Sequence, residues 1–329
     1  MLQPRSGHTA TLLPDGKVLI TGGMKRNQDF YRSAEIFDPA TGKFQLTGEM
    51  NVARVGHVAV LLHSGKVLIA GGWIGRGATD SCELYDPVTG RFTPLAKMTA
   101  KRGNPRATLL ADGDVLITGG ADHDTPGGVS SAEIFHASTF SFESLASMHS
   151  ARISHTATLL QNGLVLIAGG RGDVVNASAE LYDPRTKKFV ETGSLCIARY
   201  KHTAGLLPDG KVLIAGGSDE RDWSGALGSS EIYDPRSGQF SRAPSLHEAR
   251  FKLPENAVQL PSGFLLIAGG SRQVEIYDPR SGNFALASGE LSDAWHFMTE
   301  TKLPDGRVLL AGGYANSEKA TAQTWLYRP

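Results

Sequence analysis

The chain has 329 residues, with 33 lysines and arginines balanced by 33 aspartates and glutamates, so its formal net charge is zero. This balance gives no bulk electrostatic reason to bind nucleic acid or an anionic membrane. A hydrophobic content of 40% against 20% charged residues excludes a disordered chain. The longest apolar stretches, such as 264–268, are about five residues long, which excludes a membrane-spanning helix because such a helix needs roughly 20.

One motif recurs along the whole chain. Its marker is a short apolar run that ends in Gly-Gly, and successive markers are 49, 48, 50, 47, 53 and 43 residues apart. The first glycines of these pairs are Gly22, Gly71, Gly119, Gly169, Gly216, Gly269 and Gly312. Seven units of this length therefore fill residues 1–329, which predicts a single repeat-built domain.

Each unit begins with a predicted hairpin. In the first unit residues 8–13 lead into Asp15-Gly16, and residues 17–21 read as a buried strand. Asp-Gly between apolar runs favours a tight turn because glycine adopts positive φ without steric cost.

A second hairpin follows in each unit. Residues 34–37 precede the turn Asp38-Pro39, and the next strand begins near Phe44. Two hairpins give four antiparallel strands per unit, and no segment has the periodicity of a long amphipathic helix. The sequence thus predicts an all-β, seven-bladed propeller.

The repeated elements are Arg, Gly-His, Asp-Gly-Lys-Val-Leu-Ile, Gly-Gly and Glu-Ile-Tyr-Asp-Pro followed by an aromatic residue. Together they resemble the kelch repeat over essentially the whole chain, with phenylalanine where that family usually has tryptophan. The repeat sequence is most similar to those of microbial kelch proteins and of the propeller in galactose- and glyoxal-oxidase-like enzymes. The resemblance implies the fold and leaves the function open.

Closure of the ring is incomplete at the ends of the sequence. Ten residues separate each repeat aromatic from the next repeat arginine, as from Phe44 to Arg54, and they hold the fourth strand. Only four residues precede Arg5, and the last unit stops at the third-strand position. The seventh blade is therefore predicted to have three strands, and its open edge predicts an edge-paired dimer or coverage by another segment.

The loops from Gly-Gly to the third strand vary in length, whereas the turns at the other end of each unit are uniform. Binding residues collect on variable loops held by a rigid frame, so this face is the predicted site for a protein, peptide or glycan ligand. Trp73, Arg171, Arg221 and Trp223 lie on these loops and are candidate anchors.

Six repeat arginines allow two interpretations. Arg54, Arg102 and Arg199, with Arg5, Arg152 and Arg250, could ring the channel mouth as an anion site. Alternatively, each arginine pairs with the glutamate of its own repeat. The seventh unit favours pairing, because it lacks both the repeat arginine and the repeat glutamate. Trp295 stands at the arginine position and Trp325 at the glutamate position.

The repeat histidines His8, His57, His155 and His202 occupy one equivalent position each. Equivalent positions in different blades are too far apart to share a metal ion, so each histidine is predicted to bond to backbone.

Departures from the repeat are further candidates, because an asymmetric ligand cannot use seven equal contacts. The third unit has Asn104-Pro105-Arg106 and Asp122-His123-Asp124, the sixth begins with Phe251-Lys252, and the seventh has Trp295-His296. From these departures the candidate ligand-binding residues are Arg106, Asp122, His123, Phe251, Trp295 and His296.

The oxidase resemblance implies copper held by two tyrosines and two histidines, with one tyrosine crosslinked to cysteine. Outside the repeat positions only Tyr31, Tyr200 and Tyr314 remain, and the two cysteines, Cys82 and Cys196, lack metal-like spacing. We therefore predict no metal, no cofactor and no catalytic residue. The alternative is a carbohydrate-acting enzyme, an isomerase, hydrolase or oxidase-like protein, that uses Asp122, His123 or Glu255 as acid or base.

The sequence leaves the compartment open. The start, Met-Leu-Gln-Pro-Arg, lacks the charged and apolar pattern of a signal peptide.

Overall fold

The computed structural model describes residues 1–26, 28–75, 77–122, 127–254, 256–315 and 319–329. These residues form seven small antiparallel sheets arranged as blades around a central channel. The prediction of an all-β, seven-bladed propeller is confirmed.

Strands are numbered within each blade from the channel outward, in chain order. Blade 1 contains Thr9–Leu12, Val18–Thr21, Ala34–Asp38 and Lys43–Leu46. Blade 2 contains Val58–Leu61, Val67–Ala70, Cys82–Asp86 and Arg91–Pro94. Blade 3 contains Arg106–Leu109, Val115–Thr118, Ala132–His136 and Ser141–Ser144. Blade 4 contains Thr156–Leu159, Val165–Ala168, Ala179–Asp183 and Lys188–Glu191.

Blade 5 contains Thr203–Leu206, Val212–Ala215, Ser230–Asp234 and Gln239–Ala243. Blade 6 contains Val258–Gln259, Leu265–Ile267, Gln273–Asp278 and Asn283–Glu290. Blade 7 contains Thr299–Lys302, Val308–Ala311 and Thr324–Tyr327, so the predicted three-stranded blade is confirmed. The loops add a short hairpin, Trp73–Ile74 with Gly77–Ala78, and a 3-10 turn, Asp222–Gly225.

The predicted first hairpin forms in blade 1 as the sequence indicates. Gly16 has φ of 82°, which only glycine adopts without strain, and the backbone N–H of Lys17 donates to the Asp15 carboxylate at 3.1 Å. The following strand Val18–Thr21 is buried along its whole length. A run of β-branched and aliphatic residues suits this position because both of its faces meet neighbouring blades.

The core consists of seams between adjacent blades. Seven clusters of buried apolar side chains fill these seams. One cluster joins Val18 and Ile20 of blade 1 to Leu303 and Leu309 of blade 7, and the innermost strands of these two blades also touch. The ring is therefore closed by side-chain packing between the first and last blades.

The Gly-Gly pair is required by close approach between blades. A Cβ at Gly22, where φ is 60°, would lie 2.5 Å from the carbonyl oxygen of Arg54 in the next repeat. The backbone N–H of Gly23 donates to that same carbonyl at 2.9 Å. Backbone thus meets backbone at the seam, which explains why the repeat ends its second strand in glycine.

No helix in the described residues is long and apolar enough to cross a membrane.

Candidate functional site

The six repeat arginines belong to the frame of the propeller. Their side chains are fully buried, and each lies within salt-bridge distance of the glutamate of its own repeat. The pairs are Arg5–Glu35 at 3.1 Å, Arg54–Glu83 at 2.9 Å, Arg102–Glu133 at 2.7 Å, Arg152–Glu180 at 3.0 Å, Arg199–Glu231 at 2.8 Å and Arg250–Glu275 at 2.6 Å. The predicted pairing is confirmed.

The alternative, a ring of free arginines, is wrong. Arg54 also donates to the carbonyl oxygens of Gly71 and Ser81, and Glu83 accepts backbone N–H groups of residues 51 and 52. Burial lowers the pKa of Arg54, and the Glu83 carboxylate opposes that shift. With no exposed surface, Arg54, Arg102 and Arg199 cannot bind a ligand at the channel mouth, so these three site predictions are corrected.

Blade 7 replaces the ion pair by two tryptophans. The rings of Trp295 and Trp325 lie 6.1 Å apart, and both pack against the apolar cluster between blades 6 and 7. The indole N–H of Trp295 donates to the Ser292 hydroxyl at 3.3 Å. Trp295 therefore packs where the other blades have arginine, and the ligand-binding role predicted for it finds no support in these contacts.

The repeat histidines connect neighbouring blades, but their partners differ from the prediction. His57 Nε2 lies 2.9 Å from the Thr21 hydroxyl of the preceding blade, and His155 Nε2 lies 2.9 Å from Thr118 in the same way. Burial, followed by the nearby Arg54 charge, lowers the pKa of His57 well below its ordinary value. These histidines are thus neutral and bond to threonine side chains, whereas backbone partners were predicted.

A cluster of aromatic rings and lysines lies on the loop face between blades 5 and 7. At its centre is Lys252, which is 5% exposed. Its ammonium donates to the Tyr314 hydroxyl at 2.7 Å and lies 3.5 Å from the centre of the Trp223 ring. The rings of Phe251 and Phe297 are 5.0 Å and 5.9 Å away. This group, with His296, Tyr200, Lys201 and Asp222, is called the Trp223 cluster below.

Trp223 is the exposed member of the cluster. It sits on the 3-10 turn of the blade 5 loop, and 47% of its surface is exposed. Its ring makes edge contacts with Phe251 at 5.2 Å and with His296 at 5.1 Å. Phe251, His296 and Lys252 thus contact the indole and hold it, because aromatic edges and a cation both favour fixed orientations around a ring.

Lys201, Asp222 and Tyr200 form the polar wall of the cluster. Lys201 Nζ and the Tyr200 hydroxyl each donate to Asp222 Oδ1 at 2.7 Å. Burial lowers the pKa of Lys201 and the Asp222 carboxylate opposes this. Burial pushes the pKa of Asp222 upward, but the hydrogen bonds from Lys201 and Tyr200 outweigh it and leave that pKa below its ordinary value. Lys201 and Asp222 therefore form a charged pair at neutral pH.

His296 lies beneath the exposed ring. It is 4% exposed, and its Nδ1 lies 3.3 Å from the carbonyl oxygen of Phe251. Burial lowers the pKa of His296 to about 4 and the Lys252 charge adds to this, although the Phe251 carbonyl opposes it. The imidazole is consequently neutral at pH 7.

Arg171 and Arg221 flank the cluster. Arg221 Nη2 lies 2.6 Å from Asp219, and its side chain is mostly exposed. Arg171 lies 3.7 Å from Glu220 and 5.8 Å from the centre of the Tyr200 ring. The structure thus brings five predicted site residues to one place, namely Arg171, Arg221, Trp223, Phe251 and His296.

The remaining predicted residues lie elsewhere. Trp73 is half-buried between blades 2 and 3, where a Cβ at Gly103 would come within 2.2 Å of its ring. Arg106 lies on the channel wall and donates to the carbonyl oxygen of His155 at 2.5 Å. Asp122 is on the loop of blade 3, and His123 lies outside the described residues.

A cavity of about 280 Å³ occupies the channel beside the cluster. Leu253 and Phe297 both line the cavity. Leu253 follows Lys252 in the chain, and the Phe297 ring lies 5.9 Å from the Lys252 ammonium. Its polar lining includes Asn104, Arg106, Ser154, Asn256, Thr299 and Glu300. The loop face thus has a concave centre, lined by both polar and apolar residues, next to an exposed tryptophan.

Glu300 is a departure that the sequence analysis missed. It occupies the first-strand position where blades 1 to 5 have alanine, at Ala10, Ala59, Ala107, Ala157 and Ala204. Its Oε1 accepts the backbone N–H of Ala268 at 2.7 Å, and within the described residues its buried Oε2 has no partner. Burial raises the pKa of Glu300 to about 8, against the effects of that hydrogen bond and of Arg250.

The short first strand of blade 6 explains why the Glu300 carboxyl reaches the backbone N–H of Ala268. The first strand of blade 6 is only Val258–Gln259, and Asn256 instead pairs in parallel with Ala204 of blade 5. The Ala268 N–H therefore meets the Glu300 carboxyl. A comparison of first-strand positions across the repeats could have identified Glu300, since it is an acidic residue in an alanine column.

Comparisons with known proteins agree with the fold. Residues 54–99 and 199–247 match the Kelch motif. A solved structure described as a novel fungal alcohol oxidase with catalytic diversity among the AA5 family, in complex with copper, is similar with a TM-score of 0.80. It is 17% identical in sequence, and the match covers 99% of this chain and 75% of that chain. A search of curated proteins found no match. At this identity the structural likeness establishes the propeller fold alone.

Two of the three non-repeat tyrosines, Tyr200 and Tyr314, do not fit the copper site that the oxidase resemblance implies, because other side chains already engage their hydroxyls. The hydroxyl of Tyr200 bonds to Asp222, and that of Tyr314 bonds to the Lys252 ammonium, a cation at the centre of the cluster. Cys82 is buried in the third strand of blade 2, and burial raises the pKa of its thiol to about 12. Within the described residues, no group of three histidine, cysteine or acidic side chains could hold a metal ion.

Proposed function

We propose that this chain, a kelch-repeat β-propeller, is a carbohydrate-binding module that holds a glycan on its loop face, against Trp223 and the polar side chains around it. The observation that carries the proposal is a half-exposed indole held in place by Lys252, Phe251 and His296.

A sugar ring has an apolar C–H face and a rim of hydroxyl groups. An indole ring provides the flat apolar surface that such a C–H face can cover. Because neighbouring side chains already fix Trp223, little side-chain entropy is lost when a ligand covers it. The exposed ring therefore supports stacking by a sugar.

Polar groups that can recognise hydroxyls lie on the same loop as Trp223. Arg221, two residues before Trp223, is paired with Asp219, and Asp222, the residue directly before Trp223, is paired with Lys201. Carboxylates accept and cationic side chains donate hydrogen bonds, so each pair offers both partners to a sugar hydroxyl. Opposite charges are nearly balanced among these groups, which favours a neutral or weakly acidic glycan.

A large protein interface is less well supported. On the described parts of the loops between Gly-Gly and the third strand, the large apolar side chains exposed are Trp223 and Val174. Stable protein interfaces bury about 800 Å² on each partner around an apolar, aromatic centre. A single exposed ring beside a cavity of mixed polar and apolar lining matches a smaller ligand better.

A glycan array probed with the labelled protein tests this proposal, followed by calorimetric titration of the best ligand. Trp223→Ala is expected to weaken binding about tenfold or more, because a central aromatic anchor is lost. Trp73→Ala is the matched control, since Trp73 is a tryptophan of another loop on the same face. If both variants keep their melting behaviour and Trp223→Ala binds as well as the parent protein, the proposal is wrong.

The second candidate is a carbohydrate-acting enzyme. The observation that favours it is the fold likeness to an alcohol oxidase, together with Asp122 on the blade 3 loop. Its other predicted acid or base residues, His123 and Glu255, lie outside the described residues. Mass spectrometry and proton NMR of the bound glycan after prolonged incubation distinguish the candidates. Oxidation removes two hydrogens, hydrolysis adds water, and isomerisation changes the NMR spectrum at constant mass, whereas a binding module returns the glycan unchanged.

A further inference from the structure

The face of the disc opposite the loop face carries the hairpin turns and is called the turn face below. On this face Lys66 of blade 2, which follows the first turn, lies 3.4 Å from Asp86 at the end of the third strand, and blade 5 has the same pair at 3.6 Å. Blade 3 reverses the signs, because Asp114 stands at the lysine position and His136 at the aspartate position. A pair with a permanent cation is thus replaced by one whose cation is a histidine.

Both ring nitrogens of His136 face carboxylates. Nδ1 lies 2.6 Å from Asp114 Oδ2, and Nε2 lies 2.9 Å from Glu143 Oε2. An ionised carboxylate only accepts hydrogen bonds, and a neutral imidazole carries a single N–H. A neutral ring could therefore satisfy one carboxylate and would turn an unshared electron pair toward the other. The geometry fits the imidazolium, which donates from both nitrogens.

His136 is the middle of a chain of alternating charges. Asp114 Oδ1 also accepts the backbone N–H of Ala137, the first residue of the second turn, at 3.0 Å. On the other side, Lys187 Nζ donates to the Glu143 carboxylate at 2.7 Å from the second turn of blade 4. The protonated ring therefore ties the two turns of blade 3 to each other and, through Glu143, to blade 4.

These contacts favour the charged ring. The hydrogen bond with Asp114 raises the pKa of His136 above its ordinary value of 6.5, desolvation opposes this rise, and the hydrogen bond with Glu143 adds to it. The hydrogen bonds from Lys187 and His136 lower the pKa of Glu143, so its carboxylate stays ionised at neutral pH. The ring is therefore protonated to a higher pH than an isolated histidine.

The other ionisable groups near this chain of charges titrate outside the neutral range. They are Asp112 of the first turn, with Tyr182 and Asp183 of the third strand of blade 4. Burial, aided by the nearby carboxylates, raises the pKa of Tyr182 to about 12, and a carboxyl ordinarily ionises at about pH 4. Among the described residues around the chain of charges, His136 is therefore the group that changes charge between about pH 6 and 9.

The turn that these contacts hold is strained. Phe140 has φ of 56° at the position where blades 1 and 2 have Gly42 and Gly90, and 37% of its surface is exposed. A bulky residue at positive φ is unfavourable and persists only where its surroundings hold it. Loss of a contact that holds this turn should therefore let Phe140 and its neighbours change conformation.

We propose that His136 is a pH-sensitive switch, which links the turns of blade 3 to blade 4 while its ring is protonated and releases Glu143 when the proton leaves to solvent. The N–H that remains stays with the closer carboxylate, Asp114, so the unshared pair on Nε2 repels the Glu143 carboxylate. Strand Ser141–Ser144 and the turn before it then lose their tie to the third strand. The switch lies on the face opposite Trp223 and does not depend on the glycan proposal.

NMR spectroscopy of the full, isotope-labelled chain from about pH 5.5 to 9 tests the switch. The His136 ring should titrate with a midpoint above 6.5, with both nitrogens protonated on the acid side. The amide signals of Ala137, Phe140 and Glu143 should move with the same midpoint, because the turn responds to the ring. A midpoint at or below 6.5, or amide signals that do not follow the ring, would overturn the proposal.

Two variants separate the switch from an ordinary surface contact. Asp114→Lys/His136→Asp installs the permanent pair of blade 2, so the turn amides should no longer shift between about pH 6.5 and 8. Glu143→Gln removes one carboxylate and should lower the His136 midpoint by about 0.5 to 1 pH unit.

An equal pH response of the folded double variant and the parent protein would contradict the switch. Should the double variant fail to fold, Glu143→Gln still decides the matter, since an unchanged midpoint would show that the ring does not bridge two carboxylates.

Discussion

The frame and the loop face of this propeller both bury cations, but they surround them differently. In the seams each buried arginine meets the glutamate of its own repeat, as Arg54 meets Glu83. At the channel mouth, Lys252 is buried against the Trp223 ring and the Tyr314 hydroxyl. The frame repeats the same arginine–glutamate pair in six blades, whereas the channel mouth is built from residues that depart from the repeat. Function is therefore expected where the repeat is broken.

The largest effect should come from breaking one ion pair of the frame. Glu83→Ala leaves the buried Arg54 guanidinium without its carboxylate and should reduce the free energy of unfolding by about 3 to 5 kcal/mol. The double variant Arg54→Met/Glu83→Leu should cost less, since no charge stays buried without a partner. Urea denaturation measures both, and a double variant as unstable as Glu83→Ala would show that charge compensation is not the reason for the pair.

A cavity in a seam should cost slightly less. Leu166 is 1% exposed between blades 4 and 5, and Leu166→Ala should reduce the free energy of unfolding by about 2 to 5 kcal/mol. The control is Val190→Ala, since Val190 is 58% exposed on the fourth strand of blade 4 and should stay within about 0.5 kcal/mol. Similar losses for the two variants would contradict the view that the seams carry the stability.

The pH dependence of stability tests the irregular blade 6–7 seam. Glu300 has a pKa of about 8 in the folded protein against an ordinary value of 4.5, so the native state keeps a proton that the unfolded state releases between these pH values. Glu300 therefore makes stability fall as pH rises toward 8, by up to about 1.4 kcal/mol per pH unit.

The buried repeat histidines make stability rise with pH, which is opposite to the effect of Glu300, and they do so at lower pH. His8, for example, has a pKa lowered by burial to about 3, so it resists protonation below 6.5 and stability rises with pH there. Hydrogen bonds to Asp114 and Glu180 raise the pKa values of His136 and His149 above 6.5, so these histidines also lose stabilising protons between pH 6.5 and 8. The share of Glu300 is therefore read from the difference between the parent protein and Glu300→Gln. Denaturation across this range should show a decline that is reduced in Glu300→Gln, and an unchanged slope in that variant would refute a protonated Glu300.

The smallest stability effect is expected at the exposed ring of the mouth. Trp223→Ala removes a half-exposed side chain and its contact with Lys252, which together should cost about 1 kcal/mol. Thermal unfolding monitored by circular dichroism measures this change. A loss as large as that of Leu166→Ala would mean that Trp223 is part of the frame.

Most of the fold could be predicted because every repeat carries the same turn, strand and Gly-Gly pattern. The Gly-Gly spacing gives the blade count. Only four residues precede Arg5, where the other repeats have a spacing of ten from aromatic to arginine, and this difference gives the three-stranded blade. The joint loss of arginine and glutamate in the last unit also predicts the ion pairs correctly, since partners that depend on each other disappear together.

The site was harder to predict, because it joins residues that are distant in sequence. Trp223 and Tyr314 meet around Lys252 only because blades 5 and 7 lie across the same mouth. Sequence departures indicated Phe251 and His296, but they equally indicated Trp295, which packs in the seam on Trp325. Glu300 escaped notice because its strand otherwise follows the repeat, and its unusual pKa arises from burial.

A crystal structure of the protein with the best glycan from the array tests the central claim most directly. The account predicts electron density for a sugar ring stacked on Trp223, with hydroxyls bonded to Asp219, Arg221 or the Lys201–Asp222 pair. Density for the glycan on the opposite face of the disc, or over Trp73 with Trp223 uncovered, would contradict it.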